Sequence, residues 1–355
     1  MVDVLWMSAV GCILMVCVKS RLEKKEGVYV ICQRPVTESL RGAAILIIIV
    51  SHIVQDVAGN TYVLRGGILE RIIGCWGGIG VSVFFFLSGY GNCVSYKGVR
   101  NKKQAVKRMF RQILKIVTVF SLTFVAVAIV TIISGKVGLT TQGPIAITEM
   151  VKDYYSIRMP GTSTWYLKVQ ILFYVLLCLA YLMNPKYLSL PIFLGAIVWV
   201  ISANALGLED FWWKTSLCFS VGVSAAEYSG RINAYINTHK GLMAFASVFA
   251  IALAYVYVLK DGRFIVIPQL AAYTLISAAM VVLCGVIQFQ NGFLAEIGRD
   301  SLVLYLAHIG LAPVLLRGES AVNLRVIIFM ICTIVVSAAV VAMEYRIFNK
   351  RYHNK

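Results

Sequence analysis

Two histidines set within long apolar runs are the residues of this chain best suited to chemistry: His52 ends the stretch ESLRGAAILIIIVSH and His308 ends SLVLYLAH. Neutral imidazole takes a proton near pH 7. An ionisable group inside a spanning helix is costly and usually faces a cavity or the bundle interior. Each histidine is therefore a functional candidate, His52 as a general base toward a hydroxyl, with a hydrogen bond between helices as the competing role, and His308 as a substrate or structural motif residue. Arg41 stands eleven residues before His52, about 16 Å lower on the same helix. Asp56, four residues after His52, shares its face and either orients the imidazole or reaches the water layer. Glu38, three residues before Arg41, shares the arginine's face and is a candidate partner for it. It lies about 21 Å from His52 along a straight helix, too far for a direct dyad.

A second constellation is cationic. Arg108 and Arg111, three residues apart, are neighbours on one helical face, and with Lys107 they form a candidate phosphate clamp, because guanidinium forks match phosphate oxygens. The same charges also serve as a topology signal. Ser301, Tyr305 and His308 follow at spacings of four and three, hence on one face, and Asp300 or Ser301 is placed to cap that helix. Between Gly77 and Gly91 runs GGIGVSVFFFLSGYG. Its small residues allow close helix packing, with Ser88 able to bond across helices; alternatively Gly89 and Gly91 open space beside a substrate. Trp165, Tyr166 and Tyr174 begin a later segment, where interfacial aromatics are expected.

The elements that must hold these residues are membrane helices. Of the 355 residues 59% are hydrophobic and only 14% charged, and the mean hydropathy is +0.81. Soluble domains run at about 25% charged, so a water-soluble protein is excluded. Windows of about 19 residues predict ten segments, at 42–58, 72–95, 113–134, 165–183, 188–206, 213–228, 241–259, 264–286, 301–316 and 324–343. The fold class expected is an all-α polytopic bundle of about ten core helices. Val4 to Val18 is a candidate extra helix, since its basic residues follow the apolar part and no cleavage site is evident. The domains read as an N-terminal apolar segment with a basic linker (1–36), the transmembrane domain (37–343) and a basic tail (344–355). The connection from Gly135 to Ser163 is the longest and is either a lid or a plain linker. No internal repeat is evident, which disfavours duplicated transporter folds.

Lys and Arg number 33 against 16 acidic residues, a net charge of +17. The positive residues lie between apolar segments, so they orient the bundle and attract anionic lipid, and no nucleic acid partner is needed. Eight of them crowd residues 97–115 without an acidic residue, which predicts that the loop 96–115 and, by alternation, the C-terminus are cytoplasmic in a multi-pass cell-membrane protein. Nine cysteines are scattered without a CxxC pair, and none of the four histidines stands at metal-ligand spacing. The cysteines read as apolar core and no metal site is expected.

The ordered set ESLRGAAILIIIVSH, GIGVSVFFFLSGY (Gly78 to Tyr90), Arg108-Met-Phe-Arg111, TWYLKVQILFY (Thr164 to Tyr174) and SLVLYLAH resembles the acyltransferase-3 family over residues 37–343. The resemblance implies transfer of an acyl group, commonly acetyl, from cytoplasmic acyl-CoA to a hydroxyl of a cell-surface polysaccharide, lipid-linked sugar or small molecule. It implies His52 as the essential histidine, with Arg41 as its motif partner, and Arg108 and Arg111 as contacts to the CoA phosphates. Acetyl-CoA as donor substrate, a glycan acceptor and neighbouring proteins of polysaccharide biosynthesis follow as expected partners, with no metal. Where many members carry two consecutive glutamates this chain has Gln170 and Ile171, which bears on subfamily and acceptor. The alternative is a transporter of a small polar substrate such as an amino acid, the role proposed for related domains fused to serine racemases. Intramembrane His and Arg serve that task equally well.

Overall fold

The computed structural model describes residues 20–22, 30–58, 72–134, 147–160, 162–259, 266–317 and 321–353. Among them are thirteen α-helices: α1 (Arg34–Ala58), α2 (Trp76–Lys97), α3 (Lys102–Ile133), α4 (Ile147–Tyr155), α5 (Trp165–Met183), α6 (Ser189–Ala205), α7 (Ser216–Glu227), α8 (Ser229–Thr238), α9 (Lys240–Leu259), α10 (Val266–Val286), α11 (Gly292–Arg299), α12 (Ser301–Leu315) and α13 (Val322–His353). Strand β1 (Ser20–Leu22) pairs antiparallel with β4 (Phe289–Asn291), and β2 (Arg158–Met159) with β3 (Thr162–Ser163). The stretch Val4 to Val18 lies outside the described residues.

Every predicted segment coincides with a helix. Among the described residues seven helices are long and apolar enough to cross a membrane, spanning Arg34–Val57, Ile72–Lys97, Lys102–Ile133, Trp165–Met183, Lys240–Leu259, Val266–Val286 and Val322–Ile347; α6 and α12 are shorter apolar helices. About 20 residues suffice for a hydrocarbon core of about 30 Å. The outward faces agree with that solvent. Leu242, Phe245, Phe249 and Leu253 of α9 and Ile327, Ile331 and Ile334 of α13 are exposed, an apolar surface that water would penalise.

Helix α1 is the central wedge, and its sequence says why. Leu40, Ala44 and Ile48 recur every four residues on one face and enter a cluster with Phe85, Phe173 and Phe219; Ile45, Ile49 and Ile53 do the same on another face, against Phe120, Leu306 and Phe329. A helix apolar on several faces must be buried on several faces. Helices α2 and α7 close on each other through glycine. A Cβ on Gly89 would stand 2.1 Å from the Phe219 carbonyl oxygen, and one on Gly222 would stand 2.1 Å from that of Phe86. Only side-chain-free positions allow backbones so near.

Three expectations change in detail. Six of the eight basic residues expected in a loop lie in α3, which starts at Lys102 behind the N-cap Asn101, whose side chain accepts from the Gln104 amide, while Lys97 ends α2. Within the connection from 135 to 163, the described part is α4 and the β2–β3 hairpin. Helix α13 continues through residue 343 to His353, so the basic tail starts as helix.

Candidate functional site

His52 and His308 meet. The Nδ1 of His52 is 2.9 Å from the Nε2 of His308, and the rings stack with centroids 5.1 Å apart. His308 is fully buried, and its Nδ1 lies 2.9 Å from the Leu304 carbonyl oxygen one turn earlier. A carbonyl only accepts, so His308 donates from Nδ1, and its neutral ring then has a bare lone pair at Nε2. His52 must in turn donate from Nδ1. The chain of bonds leaves His52 Nε2 as the basic nitrogen, without a hydrogen-bond partner among the described residues. Tyr305 packs edge-on against His308 at 5.6 Å and against Tyr166 at 5.2 Å, which holds the pair in place.

His52 opens onto a cavity of about 740 Å³ walled by α1, α2, α5, α9, α10 and α12. Trp165 and Tyr305 line it too, and the β3 residues Thr162 and Ser163 with Glu209, Asp210, Phe211, Lys214 and Thr215 line it at the helix ends remote from the basic cluster. The rings of Trp165 and Phe211 stand 5.5 Å apart on one wall.

A second cavity, about 550 Å³, lies at the opposite end of α2 and is lined by Ser95, Lys107, Arg108, Arg111, Gln112 and Lys115 among others. Lys115 is paired with Glu344 at 3.2 Å. Among the described residues the lining holds no carboxylate, and the Arg108 Nε is buried with no hydrogen-bond partner. The Arg108 guanidinium lies over the Tyr96 ring, 6.0 Å from its centre. Surplus guanidinium charge with an unspent buried donor is the chemistry of a phosphate site. Helix α2 joins the two cavities as a ruler: Ser95 lines one and Val81 the other, a rise of about 21 Å. Along it runs a polar thread. Gln112 donates to the Asn92 side-chain oxygen, Asn92 donates to the Ser88 carbonyl at 2.8 Å, and Gln170 donates to Ser88 Oγ at 2.7 Å.

The remaining candidates sit as follows. Arg41 belongs to the basic half, where its Nη2 would be 4.0 Å from a Cβ on Gly91. Glu38 is bound by Arg34 at 2.7 Å and faces Arg299 at 3.8 Å, at the start of α1 and far from His52. Asp56 is engaged by Arg317 at 2.9 Å, and the partner that orients His52 is His308. Gly89 serves helix contact. Asp300 occupies the N-cap position of α12 but its side chain makes no cap bond; burial, then the neighbouring Glu344, push its carboxyl up from the usual range. Thr215, Tyr257 and Gln269 also line the His52 cavity. Only Gln269, an amide inside an apolar run, carried a sequence signal.

A family model described as an acyltransferase domain matches residues 38–342 of the chain. No curated protein and no solved structure matches it.

Proposed function

The chain belongs to the acyltransferase-3 family, matched from residue 38 to 342, and on that premise we propose that this multi-pass membrane acyltransferase moves an acetyl group from acetyl-CoA to a hydroxyl of a glycan on the other side of the membrane. The observation that carries the reading is the bare Nε2 of His52 on the wall of a 740 Å³ cavity, held there through His308, with a basic pocket at the other end of α2. The positive-inside rule supports a cytoplasmic basic pocket and C-terminus. Lys107, Arg108 and Arg111 then hold the CoA phosphates, and the acceptor enters the His52 cavity from the opposite face.

In the reaction, His52 Nε2 takes the proton of the acceptor hydroxyl as its oxygen attacks the thioester carbonyl. The new C–O bond forms, the C–S bond breaks, and the imidazolium returns its proton to the departing thiolate. His308 keeps the reactive nitrogen pointed at the cavity throughout. The test is transfer from radiolabelled acetyl-CoA to glycan in isolated membranes. His52→Ala should fall to background; turnover near the wild-type level, or substrate uptake without acetylation, overturns the reading.

A further inference from the structure

Three residues that line the His52 cavity each carry a buried polar atom with no hydrogen-bond partner among the described residues: Gln269 Oε1, Thr215 Oγ1 and Tyr257 OH. Gln269 and Thr215 are 8% and 2% exposed. Buried polar atoms are nearly always paired, and each one left unpaired is a cost to the fold. Three around one cavity are therefore a set of unspent bonds. Thr215 makes the point most sharply. It occupies the N-cap position of α7, where a threonine hydroxyl normally accepts from the helix backbone, yet its side chain makes no cap bond.

The chemistry of the wall defines what it takes. Gln269 Oε1 only accepts, so its ligand must donate, whereas the two hydroxyls both donate and accept. Hydroxyl groups of a polyol meet all three. Trp165 and Phe211 supply an aromatic surface with electron-rich faces for the C–H side of a ring. Besides His52, the ionisable side chains of the lining with charge near neutrality are Glu209, Asp210 and Lys214, and Lys214 bonds Asp210 at 3.0 Å. The surplus carboxylate, Glu209, disfavours an anionic sugar.

We propose that Gln269, Thr215 and Tyr257 form the acceptor subsite of this enzyme and that it selects an uncharged, polyhydroxylated sugar over an acidic one. The inference rests on the acyltransferase reading given above. It goes further by assigning residues and charge to the acceptor.

The test uses the full-length protein in membranes, with acetyl-CoA as donor and two soluble probes, maltotriose and the galacturonic acid trimer. Maltotriose is expected to be acetylated at least tenfold faster. Gln269→Leu should raise the KM for maltotriose about tenfold, the effect of one lost hydrogen bond that leaves its partner unpaired, with the KM for acetyl-CoA unchanged. Neither Gln269→Leu nor Thr215→Val removes a side-chain hydrogen bond among the described residues, so melting temperature should not fall; the near-isosteric Thr215→Val carries the same KM prediction if Gln269→Leu folds poorly. Equal or faster transfer to the acidic trimer, an unchanged sugar KM in both variants, or transfer to neither probe while His52-dependent consumption of acetyl-CoA persists overturns the subsite. Absence of any His52-dependent consumption of acetyl-CoA overturns the acyltransferase reading itself.

Discussion

The Nδ1 of His52 lies 2.9 Å from the Nε2 of His308, a residue 256 positions later in the chain. Because the Leu304 carbonyl fixes the proton of His308 on Nδ1, the contact decides which nitrogen of His52 is basic. Orientation and tautomer are set by one bond. Neither would be set by α1 alone.

Truncating His308 removes the acceptor that holds the His52 proton at Nδ1. His308→Ala should lower kcat about 100-fold, within the range of general-base contributions, while the KM for acetyl-CoA stays near its wild-type value. His308→Gln places an amide oxygen where Nε2 accepted and should recover part of the rate. Steady-state kinetics on the two variants check this, and equal losses in both would leave His308 no positioning role.

At the other end of α2, Arg108 has a buried Nε without a partner among the described residues. Arg108→Ala should raise the KM for acetyl-CoA about tenfold, as expected for loss of a charge-assisted hydrogen bond, and leave that for the acceptor unchanged. Arg108→Lys should fall between, since lysine keeps the charge and loses the fork. The wild-type donor KM should rise with salt more steeply than that of Arg108→Ala.

Gly89 and Gly91 are two residues apart and should answer differently to alanine. At Gly89 the new Cβ would meet the Phe219 carbonyl oxygen at 2.1 Å; at Gly91 the nearest atom is Arg41 Nη2 at 4.0 Å. Gly89→Ala should destabilise the fold by at least ~1–3 kcal/mol, seen as a lower melting temperature and reduced recovery in detergent. Gly91→Ala should melt close to wild type.

Much of the frame was legible from periodicity and hydropathy. The run from Ile45 to Val50 could only be a buried helix, and the apolar stretches from 165 to 183 and from 240 to 259 announced spans of the right length. The basic cavity was half legible. Arg108 and Arg111 were visible as neighbours, but the cavity they line also needs Ser95 of α2 and Lys115 of α3. Glu38 shows where spacing misleads. It shares a face with Arg41, yet Arg34 and Arg299 engage its carboxylate, one of them from α11, whose approach α1 cannot foretell.

By itself the sequence determined the solvent, because an 18-residue apolar run has only one place to go, and it determined the local neighbours, because helix pitch fixes which residues share a face. His52 could thus be put deep in the bundle, and Tyr305 on one face with His308. Which nitrogen of His52 is bonded, what holds the ring and what lies before it were decided only by tertiary structure. Those properties depend on the meeting of α1 with α12 and on a cavity bounded by six helices. Hydropathy drives such helices into the membrane but does not choose their partners; close packing at glycines such as Gly89 and bonds such as that from His52 to His308 make that choice.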